Sequence, residues 1–447
     1  MKLQGTILQK GDRGFDEAVL GTLFNKIDPY RRPDMMVRPQ TVEDIITIVN
    51  HAKTVGKKIS ICSGGHSWSA NHLRNGSILI DMCHFNRYEV NKENRTAKVG
   101  PGVGGSILLT ALYQQDLFFP AGHCRGVCLG GYLLQGGFGW NGRKLGMACE
   151  SILAMDIVTA NGDMVHANET ENADLFWAAR GSGAGFFGVV VNFYLKLYPL
   201  PKYRGMMMHV FSLKHLEEVY RWAYETGPNI PASVEFQMLM CRKTLQSFGP
   251  SGIEAAAPVF ADSKDELQEA LSFLRNSPIK HKAFFRSPFF NPGIRMMYTF
   301  AMGHYPENHL WSVDNMWTNT PIDDLMPYLK QIAQTLPPPP SHVLWLNWYP
   351  PKSRTDMAFS MEDNIYIALY SAWKKASETP LYGNWATNTM QQMEHLSTGI
   401  QLADENLHQR TAKFVSNQHL QKLDDIRNYR DGGGVFNAWH SRPEVEL

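Results

Sequence analysis

Two short glycine-containing stretches constrain the fold most, because each places a reactive side chain beside residues with almost no side chain. Residues 63–68 read SGGHSW and place His66 after two glycines, and residues 120–124 read PAGHC and end in Cys124. Small residues let the backbone approach a bulky planar group, and successive N–H groups of a glycine-rich loop can form a nest suited to a pyrophosphate. Each stretch taken alone is more often an ordinary turn or a small buried cysteine.

Glycine is also concentrated in two later segments. Residues 130–139 read GGYLLQGGFG, and residues 174–191 read DLFWAARGSGAGFFGVVV. Glycine richness alone indicates only a loop. A nicotinamide-dinucleotide fingerprint would follow the first strand of a βαβ unit, with an acidic residue about 20 positions later. Residues 181–185 lack the third glycine spacing and precede a β-branched run, so the sequence does not favour nicotinamide binding.

In this order, the four segments resemble the vanillyl-alcohol-oxidase superfamily and most closely its berberine-bridge-enzyme-like branch. The shared patterns are Gly-Gly-His-Ser, Pro-Ala-Gly-x-Cys, Gly-Gly-x-x-x-x-Gly-Gly-x-Gly and Asp-Leu-x-Trp-x-x-Arg-Gly-x-Gly. The resemblance is strong over residues 30–200 and weak over 200–400. It implies an α+β fold, in which a PCMH-type FAD-binding domain is joined to a substrate domain with an antiparallel sheet backed by helices.

The resemblance also implies a cofactor, FAD, attached by two covalent bonds. His66 would bond to the flavin 8α-methyl group (8α-histidyl) and Cys124 to flavin C6 (6-S-cysteinyl). The other residues that the resemblance places at the cofactor are Ser63, Gly64, Gly65, Ser67, Gly122, Val127, Leu129, Gly130, Gly131, Gly136, Gly137, Gly139, Val191 and Asn437.

The function implied by the resemblance is that of an oxidase. The flavin would take a hydride from a small-molecule alcohol, amine or aromatic substrate and pass the electrons to O2, which gives H2O2. Val127 stands three residues after Cys124. In related oxidases a small residue at this position admits O2 to the flavin, and Val127 resembles that type. An equally good interpretation is that Val127 only fills space in the core. A dehydrogenase or oxidative cyclase with another electron acceptor is the alternative. A flavin-fold binding protein that has lost catalysis is a third hypothesis.

Two positions depart from the family pattern. Tyr132 stands where many relatives have a histidine near flavin N1; it could donate a hydrogen bond there or serve only in packing. Residues 398–406 read TGIQLADEN and lack the tyrosine that serves as or supports the catalytic base in many relatives. Candidate bases on the predicted substrate sheet are Glu235, His342 and Tyr349, each of which is more often a structural residue.

Hydrophobic periodicity divides the chain into helices and strands. The predicted organisation is an FAD-binding domain over 1–200, with its PCMH-type core at about 30–200, a substrate domain over 201–415, and a segment over 416–447 that returns to the first domain. A helix is predicted within residues 1–27 and another over 42–55, capped by Thr41. In the substrate domain, strands are predicted at 205–211, 233–240, 254–260 and 343–349, and helices at 213–224, 264–273, 321–336 and 381–396.

The amino-acid composition limits the classes of partner that the protein is expected to bind. The 447 residues carry 43 basic and 42 acidic side chains, a net charge of +1, which favours neither nucleic acid nor a membrane surface. No apolar run reaches signal-peptide or transmembrane length, so a cytoplasmic protein is expected. The six cysteines predict neither a disulfide framework nor, lacking a partner pair at zinc spacing, a metal site. Abundant large apolar residues favour an aromatic or hydrophobic substrate over a long polar sugar.

Overall fold

The first two hundred residues form three small sheets. The computed structural model describes residues 2–245 and 248–442 of the chain. The strands are β1 (Thr6–Gln9), β2 (Met35–Arg38), β3 (Ile59–Cys62), β4 (Ile78–Asp81), β5 (Tyr88–Asn91), β6 (Thr96–Val99), β7 (Leu117–Phe118), β8 (Ile152–Thr159), β9 (Met164–Ala167), β10 (Gly188–Lys196) and β11 (Tyr198–Pro199). The helices are α1 (Phe15–Leu20), α2 (Val42–Thr54), α3 (Gly105–Tyr113), α4 (Leu129–Leu134), α5 (Gly142–Leu145) and α6 (Ala173–Ala179).

The sheets differ in strand direction. The first has the order β1-β2-β4-β3, with β4 parallel to both neighbours, and the second has the antiparallel order β5-β6-β10-β8-β9. Strands β7 and β11 form a separate two-stranded sheet. Side chains from the two larger sheets and from α2 and α3 belong to one hydrophobic core. This shared core holds the loops that follow β3 and β7 in place.

Helix α2 illustrates how local sequence determines an element. The Thr41 hydroxyl accepts the N–H of Asp44, and the Asp44 carboxylate reaches back to the Thr41 N–H, which completes a capping box. Ile45 and Ile48 lie on the buried face. The predicted helix over 42–55 is confirmed. The helix expected within residues 1–27 is reduced to the short α1, because strand β1 precedes it and left-handed glycines break the chain before it.

The second half is built on a seven-stranded antiparallel sheet of order β15-β12-β14-β13-β17-β18-β16. Its strands are β12 (Tyr203–Ser212), β13 (Gln237–Cys241), β14 (Gly252–Ala261), β15 (Ala283–Arg286), β16 (Leu310–Thr318), β17 (His342–Asn347) and β18 (Ile365–Trp373). The helices are α7 (Leu216–Thr226), α8 (Lys264–Ala270), α9 (Ser272–Arg275), α10 (Ile294–His304), α11 (Ile322–Thr335), α12 (Thr379–Tyr382), α13 (Trp385–Gln392) and α14 (Asn417–Arg430).

The large sheet has two faces of different character. Alternate residues such as Met238, Ile253 and Trp345 pack into a core shared with α7, α8, α11 and α13. Their strand neighbours Gln237 and Leu346 line a cavity on the opposite face, as the period of two along a strand requires. The sheet thus has a helix layer on one side and the cavity on the other, which confirms the predicted α+β class.

The elements of the second half that were not predicted include β15, α10, β16, β18 and α14. Strand β16 shows the reason, because it carries Asp314 and Asn315 at buried positions. Their polar groups are satisfied by Arg410, which donates to the Asp314 carboxylate, and by backbone groups of the loop near residue 401. When only the local sequence pattern is used, a stretch that contains such polar residues is predicted to be a loop, because the distant partners that allow their burial are not visible.

The C-terminal segment contacts the first half of the chain. Phe436 forms a parallel bridge with Ile59, and the backbone and side-chain N–H groups of Asn437 both donate to the Ile59 carbonyl, at 2.9 and 3.0 Å. Residues 443–447 of the predicted returning segment lie outside the described residues. Across the described part of the chain, no helix is sufficiently long and apolar to span a bilayer.

Candidate active site

A cavity of about 550 Å³ lies between the first half of the chain and the large sheet. His66 and Cys124 line it from the first half, and Gln237 and Leu346 line it from the sheet. Asp404, in the loop that follows β18 and α13, lies on the same cavity. The arrangement places both predicted covalent attachment residues opposite the sheet predicted to hold the substrate.

The loop that carries His66 is fixed by close packing. It follows β3, and the chain turns at Gly65 with φ of 65°. A Cβ at Gly65 would lie 1.5 Å from the Thr22 carbonyl oxygen, so only glycine fits there. The His66 ring stacks on Phe24 with a centroid distance of 4.3 Å. Burial lowers the pKa of His66 to about 4, so the imidazole is neutral near pH 7 and has a free lone pair.

The loop that carries Cys124 lies against the His66 loop. A Cβ placed on Gly126 would be 2.8 Å from His66 Nε2, which shows how closely the two loops approach. Burial raises the pKa of the Cys124 thiol to about 12, so the group is protonated near pH 7. Val127 lines the cavity immediately beyond. The two reactive side chains, far apart in sequence, therefore belong to neighbouring loops on one wall.

Most of the residues that the family resemblance places at the cofactor line this cavity. They are Ser63, Gly64, Gly65, His66, Ser67, Gly122, Cys124, Val127, Gly130, Gly131, Tyr132 and Asn437. Within the described residues, the cavity lining does not include Leu129, Gly136, Gly137, Gly139 or Val191. Gly137 and Gly139 instead pack behind the wall against Tyr132, where a Cβ would lie 3.0 Å from the Tyr132 ring and 2.2 Å from its hydroxyl, respectively.

Tyr132 is held by a hydrogen bond to the backbone. Its hydroxyl donates to the Pro120 carbonyl at 2.6 Å, and its side chain is 5% exposed. A phenol has one proton to donate, and in this geometry that proton is directed at Pro120. The arrangement favours the packing interpretation of Tyr132 over a hydrogen bond to the flavin.

Asp404 is the site residue that sequence reasoning missed. Its carboxylate accepts hydrogen bonds from the Trp68 indole at 2.7 Å and from the hydroxyls of Tyr366 and Tyr370 at 2.5 and 2.8 Å. Burial raises the pKa of Asp404, while the three hydrogen bonds act in the opposite direction. The Asp404 carboxylate is therefore held in place on the cavity wall, and its proton affinity is higher than that of an ordinary aspartate.

The tyrosines missing from residues 398–406 are thus supplied by strand β18. Tyr366 and Tyr370 are four residues apart on one face of the strand. The neighbouring Glu405 anchors the loop, since its carboxylate accepts from Ser69, from Asn71 and, at 2.6 Å, from the Leu407 N–H. The available sequence signals were the acidic pair at 404–405 and the same-face tyrosines of a strand that was itself not predicted.

The three candidate bases from the sequence lie elsewhere. Glu235 accepts from the Asn141 N–H and lies 2.9 Å from His123 Nε2. His342 stacks on Tyr370, and the Tyr349 hydroxyl is 3.5 Å from a backbone carbonyl. In the part of the chain that the structure describes, none of the three lines the cavity. Their contacts are those of structural residues, which leaves Asp404 as the better candidate.

Comparison with known proteins gives a consistent result. Residues 33–168 match the family described as FAD binding domain. The chain is 30% identical over 417 residues to the FAD-linked oxidoreductase nodO of Hypoxylon pulicicidum, covering 90% of this chain and 89% of that protein. It is 39% identical over 181 residues to a xylooligosaccharide oxidase of Thermothelomyces thermophilus, covering 40% and 36%, respectively.

Among solved structures, the fold is similar to that of Physcomitrella patens BBE-like 1, with a TM-score of 0.83, 21% identity, and coverage of 97% of this chain and 96% of that one. The matched FAD binding domain and the full-length relative together define a flavin-dependent enzyme. The chain belongs to the family of FAD-linked oxidoreductases, and its fold is that of a berberine-bridge-enzyme-like protein. It is an oxidoreductase, and its cofactor is FAD.

Proposed function

We propose that this protein is an oxidase whose FAD is bound covalently through His66 and Cys124. It takes a hydride from a small-molecule alcohol, amine or aromatic substrate and transfers the electrons to O2, producing H2O2. One observation carries the proposal: His66, Cys124 and the carboxylate of Asp404 all line the same cavity. In this proposal, residues 1–200 bind the cofactor and residues 201–415 form the wall of the cavity that contacts the substrate.

The wall formed by the first half fits the cofactor. His66 is neutral and half-buried, so its nitrogen is available for bonding. Gly131 lines the cavity, and a Cβ added there would meet no other atom within 4 Å, so the backbone at this point is open to a planar group. When bound, FAD supplies the hydride acceptor.

Asp404 is proposed as the general base. Loss of a hydride from a carbon bearing a hydroxyl or amine requires the departure of a proton from that heteroatom, and a positioned carboxylate can accept it. Tyr366, Tyr370 and Trp68 hold the Asp404 carboxylate by hydrogen bonds, and Asp404 lines the cavity. The neighbouring Glu405 also lines the cavity, and its oxygens accept hydrogen bonds from Ser69, Asn71 and the Leu407 N–H.

O2 as the electron acceptor is supported by Val127 and by one relative. Val127 lies on the cavity wall three residues after Cys124, and its small side chain leaves room beside the proposed attachment point. The xylooligosaccharide oxidase that matches 40% of the chain is named as an oxidase.

The test is a substrate screen with purified yellow protein. Candidate alcohols, amines and sugars are added, bleaching of the flavin absorbance identifies substrates, and O2 consumption and H2O2 release are then measured. One H2O2 per substrate oxidised is the expected result. Rapid anaerobic bleaching followed by slow recovery in air would instead indicate a dehydrogenase or cyclase, and a flavin that no compound reduces would indicate a binding protein.

A further inference from the structure

A further carboxylate, that of Glu254, is buried and lines the cavity far from Asp404 and Glu405. It lies on β14, is 4% exposed, and shares the cavity face of the large sheet. Three inter-strand steps separate β14 from β18, which carries the tyrosines that hold Asp404. Since neighbouring strands are about 4.8 Å apart, the two strands are about 14 Å apart.

The immediate partners of Glu254 leave its charge uncompensated. One oxygen accepts the Leu245 N–H at 2.5 Å, and the other lies 3.5 Å from His304 Nε2. Burial lowers the pKa of His304 to about 4, so this ring is neutral near pH 7. Within the described residues, no lysine or arginine forms a salt bridge with Glu254. A buried carboxylate without a cationic partner is costly in free energy.

The cavity wall between the two carboxylates is mostly apolar, although Gln237 on β13 also lines it. Leu239 is the direct cross-strand partner of Glu254, and Leu344 is the next residue across the sheet. Ala256, on the same strand as Glu254, and Met208, on β12 at the other side of β14, also line this face. A ligand that reaches from Asp404 to Glu254 would therefore need a mainly apolar body, because polar groups beside the leucines would lose hydration without gaining partners.

We propose that Glu254 recognises a protonated amine carried by an apolar substrate at the end remote from the carbon that is oxidised. The inference rests on the proposed function in one respect, that this cavity receives the substrate. An ammonium group supplies both the missing positive charge and N–H donors for the Glu254 oxygens. The neutral His304 ring on the other side can accept a further N–H. A hydroxyl at the same position would offer one donor and no charge.

The experiment measures binding of two matched series of probes to the flavin-loaded protein. The probes are ω-phenylalkylamines and the corresponding ω-phenylalkanols of increasing chain length, and binding is followed by the change in flavin absorbance. At one chain length the amine should bind about tenfold more tightly than the alcohol. Glu254→Gln should remove this preference while leaving the alcohol affinity within about twofold, and the exposed control Glu93→Gln should change neither.

A second variant keeps the test decisive if Glu254→Gln folds poorly. Ala256→Met retains the carboxylate but fills the cavity beside it, so the amine preference should again decline. Equal binding of amine and alcohol at every chain length by the wild-type protein would overturn the inference, as would an amine preference that survives both substitutions. Protein that contains no flavin would contradict the proposed function instead, and the flavin spectrum recorded before titration separates the two failures.

Discussion

At the scale of single residues, the polar groups around Asp404 set its position and its proton affinity. Trp68 comes from the His66 loop, while Tyr366 and Tyr370 come from β18, hundreds of residues later in the chain. His66 and Cys124 could be named as candidates from the sequence because short local motifs carry them, and both line the cavity. Asp404 could not be named, because the groups that define its proposed role converge only in the folded chain.

Replacing Asp404 with asparagine tests its role as base. The amide has a similar size but cannot accept the proton, so the rate of flavin reduction by substrate should decrease by at least about 100-fold. Stopped-flow absorbance under anaerobic conditions measures this rate. Flavin content should match that of the wild-type protein and of the exposed control Asp425→Asn. A variant that reduces its flavin at the wild-type rate would exclude Asp404 as the base.

The pH dependence of flavin reduction follows from the same environment. The base must be deprotonated, so the rate should fall as the pH decreases through the pKa of Asp404. Burial raises this pKa, which places the midpoint above the ordinary aspartate value of about 3.9. Tyr370→Phe removes a hydrogen bond that lowers the pKa, and the midpoint should therefore move to higher pH. A midpoint that moves to lower pH would contradict this assignment.

At the scale of elements, local sequence predicts those whose partners are local. Helix α2 carries its own capping box and buried stripe, and it was predicted within one residue of its end. Strand β16 was missed, since its buried Asp314 and Asn315 require Arg410 and the loop near residue 401. The loop after β3 is an intermediate case: its glycines were recognised, but the Thr22 carbonyl that excludes other residues is visible only in the structure.

A pair of glycine substitutions isolates that close approach. Gly65 and Gly56 have nearly equal φ values, 65° and 62°, but only Gly65 has a backbone atom in the way of a Cβ. Gly56→Ala should cost only the left-handed strain of about 1–2 kcal/mol, whereas Gly65→Ala should cost more and reduce flavin content. Thermal unfolding and the flavin-to-protein absorbance ratio measure both effects. Equal destabilisation by the two substitutions would show that the loop tolerates a Cβ.

In the proposed oxidase, O2 would reach the flavin beside the loop that follows Cys124. Val127→Leu adds bulk to the cavity wall beside the proposed attachment residue. Reoxidation of the reduced flavin by O2 should slow by about tenfold or more, a change of at least about 1.4 kcal/mol in the barrier. Anaerobic reduction by substrate should change much less. Stopped-flow mixing of reduced protein with aerated buffer gives the rate, and an unchanged reoxidation rate would assign Val127 to core packing alone.

At the scale of the whole molecule, the two halves of the chain meet at one cavity. The first half contributes His66 and Cys124, and the large sheet contributes an apolar wall with Glu254 at one end. The general organisation could be predicted from motif order and from alternating segments. The residues of the large sheet that face the cavity could not be predicted, because strand register determines which residues face it and the sequence does not specify that register.

The most direct test of the central claim is whether FAD remains attached to the unfolded chain. The wild-type protein, denatured and precipitated, should retain its yellow colour and show the mass of the chain plus one FAD. His66→Ala and Cys124→Ala should each retain flavin through the remaining bond, while the double variant should release it all. Complete release from the wild-type protein would contradict covalent attachment, and complete release from either single variant would contradict attachment at two points.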